Sequence, residues 1–140
     1  MKPKHSISGV LPVLSLPLLE DETIDFETLA REIAFVFEER VDGVTLAMVS
    51  EIFRLTDAER DGLVEKVVNL VDGRGPVIMS VGAESHKQAC RHAKAAERAG
   101  ASALMATPPC LTKCTPEKLE HYYQSLLDAT SLPLIIQDAS

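Results

Sequence analysis

The chain has 140 residues, 46% of them hydrophobic and 25% charged, with a formal net charge of -7. That length suits one domain, taken as residues 1–140, with enough apolar side chains to bury a core. The acidic balance and the lack of any long basic stretch exclude a surface that tracks phosphates, so no nucleic-acid partner is expected.

The longest apolar run, Ile7 to Leu19, is interrupted by Pro12 and Pro17 and is too short to span a bilayer. Lysines ahead of it give a superficial likeness to a signal peptide. The run, however, leads straight into Glu20, Asp21 and Glu22 with no small-residue cleavage site. It reads as a buried first strand, Gly9 to Leu16, of a cytoplasmic protein with no membrane partner.

Beyond it, short apolar runs alternate with amphipathic helical stretches, the pattern of βα units. Asp25 is a good N-cap for a first helix with Phe26, Leu29, Ala30, Ile33 and Phe37 on one face. Val44 to Val49 forms a second strand. Thr56-x-x-Glu59 is a capping box for a second helix with Leu63, Val64, Val67, Val68 and Val71 along its apolar stripe, stopped at Gly73. Pro76 to Val81 is a third strand, and Ser85-x-x-Gln88 caps a third helix whose buried face is Ala89, Ala93 and Ala96. Gly100 ends it before a fourth strand, Ala103 to Ala106. Thr115-Pro116 opens a fourth helix carrying Leu119, Tyr122, Tyr123, Leu126 and Leu127, and Leu132 to Gln137 is a fifth strand.

The unit recurs roughly every 30 residues, the size of a βα module. Glu39 to Gly43 and Glu97 to Ala101 mark matching helix-to-strand junctions, a faint internal repeat. A barrel or a doubly wound sheet fits. No glycine-rich phosphate loop follows any strand, which disfavours a dinucleotide fold. The three cysteines give no disulfide framework, and Cys110, Cys114 and His121 fall short of a four-ligand zinc site, so no metal is expected. The histidines, His86 and His92 on the third helix and His121 on the fourth, have no evident nucleophilic partner; a Cys110–His121 pair is the remote alternative.

Three stretches together resemble the dihydrodipicolinate synthase/N-acetylneuraminate lyase family of pyruvate-dependent class I aldolases. They are Gly9-Val-Leu-Pro-Val-Leu-Ser-Leu-Pro with Ile24-Asp25-Phe26; Val41-Asp42-Gly43, Glu51 and Leu55 to Arg60; and Val81-Gly82-Ala83, Ala95 to Ala101, Thr107-Pro108 and Leu132 to Ile136. The resemblance runs from about residue 7 to the end and implies an α/β fold, a partial (β/α)8 TIM barrel of about five parallel strands and four helices. It also implies a Schiff base between a 2-oxo acid and a lysine ending the sixth strand, a tyrosine relay ending the fifth, and a Gly-Thr-Thr-Gly-Glu turn after the second that holds the substrate carboxylate. No cofactor is expected, because the amine itself supplies the electron sink.

This sequence departs from that pattern. The turn reads Ala47-Met48-Val49-Ser50-Glu51, so Met48 and Val49 replace the threonines, and the tyrosine position falls on Gln137, which cannot titrate. Pro109-Cys110 stands where some members have paired tyrosines, and the sixth strand is expected to be missing. The backbone N–H groups of Val49 and Ser50 are the expected carboxylate donors, with Met48, Glu51 and Asp138 completing the substrate-binding set and Gln137 at the catalytic position. Glu51 is expected to accept hydrogen bonds from neighbouring loop amides, and Asp138 reads equally as a ligand contact or a strand end. Of the seven lysines, Lys113 alone falls near the end of the barrel where chemistry sits, and a solvated loop charge is its default reading.

Three readings follow. The chain is part of a lyase or aldolase acting on pyruvate or a related 2-oxo acid, or a carboxylate-binding regulatory module without the chemistry, or an inactive truncated remnant. An incomplete barrel leaves open sheet edges, so the expected partners are a small 2-oxo acid and either another copy of the chain or a C-terminal half-barrel.

Overall fold

The computed structural model describes residues 7–138. Lys2, Lys4 and the signal-like start lie outside these residues, as do the two ends of the 1–140 span. Four helices, α1 (Phe26–Glu38), α2 (Asp57–Val71), α3 (His86–Ala99) and α4 (Pro116–Ala129), alternate with four strands. The strands are β1 (Val44–Leu46), β2 (Val77–Ser80), β3 (Ala103–Ala106) and β4 (Leu134–Ile136), ordered in space as in sequence and parallel throughout. A doubly wound sheet reverses direction at a switch point. This one does not, and each helix packs on the next, α1 on α2, α2 on α3 and α3 on α4. Steady progression in one direction is barrel geometry.

The helix starts follow the sequence. Asp25, Thr56, Ser85 and Thr115 each accept from the backbone N–H three residues on, and Glu59 returns the bond to Thr56. The ends are more varied. Gly100 closes α3 in the left-handed conformation, as expected, but α2 ends at Val71, two residues before Gly73, with Asp72 left-handed at φ 48°. The two junctions read as a repeat are not geometrically equivalent. Arg40 is left-handed four residues before β1, whereas Gly100 holds that place three residues before β3.

The expected first strand is reduced to one parallel bridge, Val13 to Thr45. The Leu14 N–H donates to the Thr45 carbonyl at 2.9 Å and the Thr45 N–H to Pro12 at 2.9 Å. Pro12 and Pro17 have no N–H to extend the ladder. The Asp42 carboxylate holds the start of this segment by accepting from the Val10 N–H at 2.7 Å. Gly9 sits beside it at φ +87°, where a Cβ would strike that carboxylate. The segment therefore occupies the place of a fifth stave without being a regular strand.

The core lies between the sheet and one face of the helices. Leu29 and Ile33 of α1, Leu63, Val64, Val67 and Val71 of α2, Ala89, Ala93 and Ala96 of α3, and Tyr122 and Leu126 of α4 are buried. Leu127, read as part of the α4 stripe, is half exposed. β1 and β2 are buried along their length, while β4 is only partly covered and Ile136 is 59% exposed. Val10 and Val13 on the opposite margin are also exposed. Burial thus falls off towards both open edges. Leu63→Ala is expected to cost about 2–5 kcal/mol and Leu127→Ala well under that, read as urea-unfolding midpoints at constant slope.

Candidate functional site at the carboxyl ends of the strands

Parallel strands joined by helices place every strand-to-helix loop at one end of the sheet. After β1 the chain makes two short 3-10 turns, Met48–Ser50 and Ile52–Arg54, before the Thr56 cap. Ser50 anchors the first turn. Its hydroxyl donates to the Leu14 carbonyl at 2.5 Å and accepts from the Ala47 N–H at 3.2 Å, fully buried. The Ser50 N–H donates to Ala47 at 3.0 Å and that of Glu51 to Met48 at 3.2 Å.

This corrects one expectation. The Ser50 N–H is not free for a carboxylate, because the turn uses it. The first N–H groups of a helical turn have no acceptor within it, so the available donors are those of Met48 and Val49. Their side chains are exposed.

Glu51 is a second correction. In the left-handed conformation (φ 54°) its carboxylate faces Arg54 at 3.1 Å, on the side of a hollow shared with Leu18, Asp21 and Glu59. An exposed pair of this kind contributes little stability.

After β2, the Ala83 N–H donates to the Tyr122 hydroxyl at 3.1 Å, and the Glu84 carboxylate accepts from the N–H groups of Cys110 at 2.7 Å and Leu111 at 3.1 Å. The loops after β2 and β3 are therefore tied together. Gly82 makes this possible, since a Cβ there would lie 2.8 Å from Thr107 Oγ1. Between them and the loop after β1 lies a groove of about 480 Å³, lined by Met48, Phe53, Leu55, Arg60, Glu84 and Cys110 among others. Its walls are largely apolar, and among the described residues no lysine lines it.

Arg60 forms part of the floor. It is 4% exposed, and its guanidinium donates to the Ser80 carbonyl at 2.9 Å and the Gly82 carbonyl at 3.4 Å. Burial lowers its pKa to about 10, so it stays charged at neutral pH.

Gln137 follows β4 directly, its N–H donating to Ala106 at 3.0 Å and its buried Oε1 unpaired; Asp138 is exposed. The strand order sets β4 three places from β1, about 14 Å at ordinary strand spacing. The expected residues thus form two groups at opposite margins of the open sheet, and of them only Met48 lines the groove. Tyr123, behind the β4 end, has a buried unpaired hydroxyl that burial, Tyr122 and Asp138 push up to about 12. It remains a neutral phenol at physiological pH.

The Cys110–His121 pair does not form. Cys110 Sγ lies 3.2 Å from the Pro108 carbonyl, and His121 packs edge-on against His86 with ring centroids 4.9 Å apart. Lys113 is exposed beside a separate hollow with those histidines. Among the described residues no group of three or more His, Cys, Asp or Glu could hold a metal ion, and no helix is long and apolar enough to cross a membrane.

Glu84 and Arg60 escaped the sequence reading. Glu84 carried no pattern to mark it. Arg60 did carry one, since it heads the stripe Arg60, Leu63, Val64, Val67, and a cation on an apolar helix face calls for buried acceptors.

The fold agrees with what the chain is similar to. Residues 6–139 match the model of the dihydrodipicolinate synthetase family. The chain belongs to this family. It is 33% identical over 130 residues to a probable 2-dehydro-3-deoxy-D-pentonate aldolase of Escherichia coli, covering 92% of this chain and 43% of that protein. It is 30% identical to a 4-hydroxy-tetrahydrodipicolinate synthase of Staphylococcus saprophyticus, with 94% and 45% covered. Among solved structures, the chloride-inhibited dihydrodipicolinate synthase of Acinetobacter baumannii in complex with pyruvate superimposes with a TM-score of 0.90 at 26% identity, over 94% of this chain and 45% of that one. The chain spans less than half the length of the relatives it matches.

Below the groove, His92 is 4% exposed. Burial first, and the Arg60 charge second, lower its pKa from 6.5 to about 4, against an opposing pull from Asp57. The unfolded chain takes up this proton below pH 6.5 while the folded chain does not. Stability is therefore complete above pH 6.5 and falls as pH drops towards 4, by about 3 kcal/mol from this group. Urea titrations at pH 7, 5.5 and 4.5 should show that fall, and His92→Leu should flatten it within this window. Equal slopes in both proteins would assign the pH dependence to other groups.

Proposed function

We propose that this chain supplies the N-terminal part of a lyase or aldolase acting on pyruvate or a related 2-oxo acid, through a Schiff base on a lysine that it does not itself contribute. The observation that carries this reading is the convergence of three strand-to-helix loops on one groove, with Met48 of the first loop in its lining, in a chain of this family. Barrel enzymes do their chemistry at that end. The N–H groups offer a carboxylate two donors whatever side chains stand at 48 and 49.

Among the described residues no lysine lines the groove. Lys66, Lys87, Lys94 and Lys118 are on helices, and Lys113 is away from the groove. Met48, Val49 and Gln137 carry no hydroxyl to relay a proton. The 140-residue chain alone is therefore inactive in this reading. It gains activity by pairing its two open margins, at Val10–Val13 and at Ile136, with a C-terminal half-barrel, or it associates with another copy of itself.

A second reading is favoured by the same replacements. A site that keeps amide donors but has Gln137 in place of an acid or base binds a carboxylate without transforming it. Pyruvate with borohydride, read by mass spectrometry, is expected to leave the chain unmodified, and a pyruvate adduct at one lysine would overturn the assignment of the lysine to another segment. Saturable pyruvate binding without trapping, even with a C-terminal half-barrel added, would select the binding module. Light scattering should show the chain to be larger than a monomer, and a clean monomer at tens of micromolar would count against the open-edge reading.

A further inference from the structure

Three buried polar atoms belong to residues around one small cavity between α2, β2 and α3. Arg60 Nε, Ser80 Oγ and His92 Nε2 each lack a hydrogen-bond partner, and the residues are 4%, 0% and 4% exposed. All three residues line the same cavity of about 10 Å³, together with Val64, Met79, Val81, Ala96 and Asp61. Buried donors left unpaired are expensive, and several around one void call for a shared acceptor.

The chemistry of the atoms narrows what that acceptor is. Arg60 Nε–H is a donor only. Arg91 Nη1 lies 3.4 Å from His92 Nδ1, so Nδ1 accepts and the ring proton sits on Nε2. Asp57 Oδ1 lies 3.4 Å from that nitrogen but outside hydrogen-bond geometry. Two donors thus converge with a hydroxyl that can accept. A molecule that accepts twice and donates at least once satisfies all three. About 10–15 Å³ measured this way is the room one water needs.

We propose that Arg60 Nε, Ser80 Oγ and His92 Nε2 form a binding site for one structural water molecule. The water accepts from Arg60 and His92 and donates to Ser80. It joins the first turn of α2 and the middle of α3 to the end of β2, holding in place the guanidinium that floors the groove. The site is independent of any reading of the groove's chemistry.

The test turns on a sign. If water bridges the three atoms, Ser80→Ala strands it with one acceptor fewer, and the folding equilibrium constant in urea should drop about fivefold. If the cavity is dry, the same change removes an unsatisfied buried hydroxyl, and the constant should hold or rise. That result would overturn the proposal. Adding His92→Leu should then cost much less than it does in the parent chain, because both changes break one network; full additivity would count against the bridge. A crystal structure of the chain should place a single density peak within hydrogen-bond distance of all three atoms. A chloride-sized peak, or His92 turned to bond Asp57 directly, would refute it.

Discussion

Parallel pairing in chain order governs this molecule. Two parallel strands cannot be joined by a tight hairpin, so the chain must cross back over the sheet after each one, and a helix does so here every time. Because the order never reverses, the helices fall side by side along one face and the carboxyl ends of the strands point the same way. The groove beside Met48, the Glu84 clamp and the Arg60 floor are consequences of that arrangement. None of them lies in a single stretch of sequence; each joins elements distant along the chain.

Much of the architecture is legible in the residues, and the reason is local. An N-cap needs only a side chain and an amide three residues away, so Asp25, Thr56, Ser85 and Thr115 announce their helices without tertiary context. The alanine face of α3 is equally plain. What was not legible depends on partners distant in sequence. Pro12 has no N–H to extend the ladder whose other rail is Thr45, so the first stave is weaker than its apolar composition implies. The Ser50 N–H bonds the Ala47 carbonyl within its own turn, and Glu51, on a left-handed backbone, faces Arg54.

The site divides along the same line. The family resemblance points to the end of the sheet where loops gather, and the match over residues 6–139 shows the family itself. The resemblance did not find Glu84 or Arg60, whose roles rest on carbonyls and amides of other loops. Arg60 was nonetheless within reach, since a charge among Leu63, Val64 and Val67 conflicts with its own helix face. Such conflicts mark places where a fold has a polar obligation to meet.

The Ser50 hydroxyl has one more implication. It fixes the turn after β1 by gripping the carbonyl of Leu14 and the amide of Ala47, contacts that involve neither side chain at 48 nor that at 49. The scaffold of the turn and its outward decoration thus rest on different groups. Residues 48 and 49 can drift among polar and apolar types while the amides keep their aim, which gives one backbone a wide latitude in what it greets.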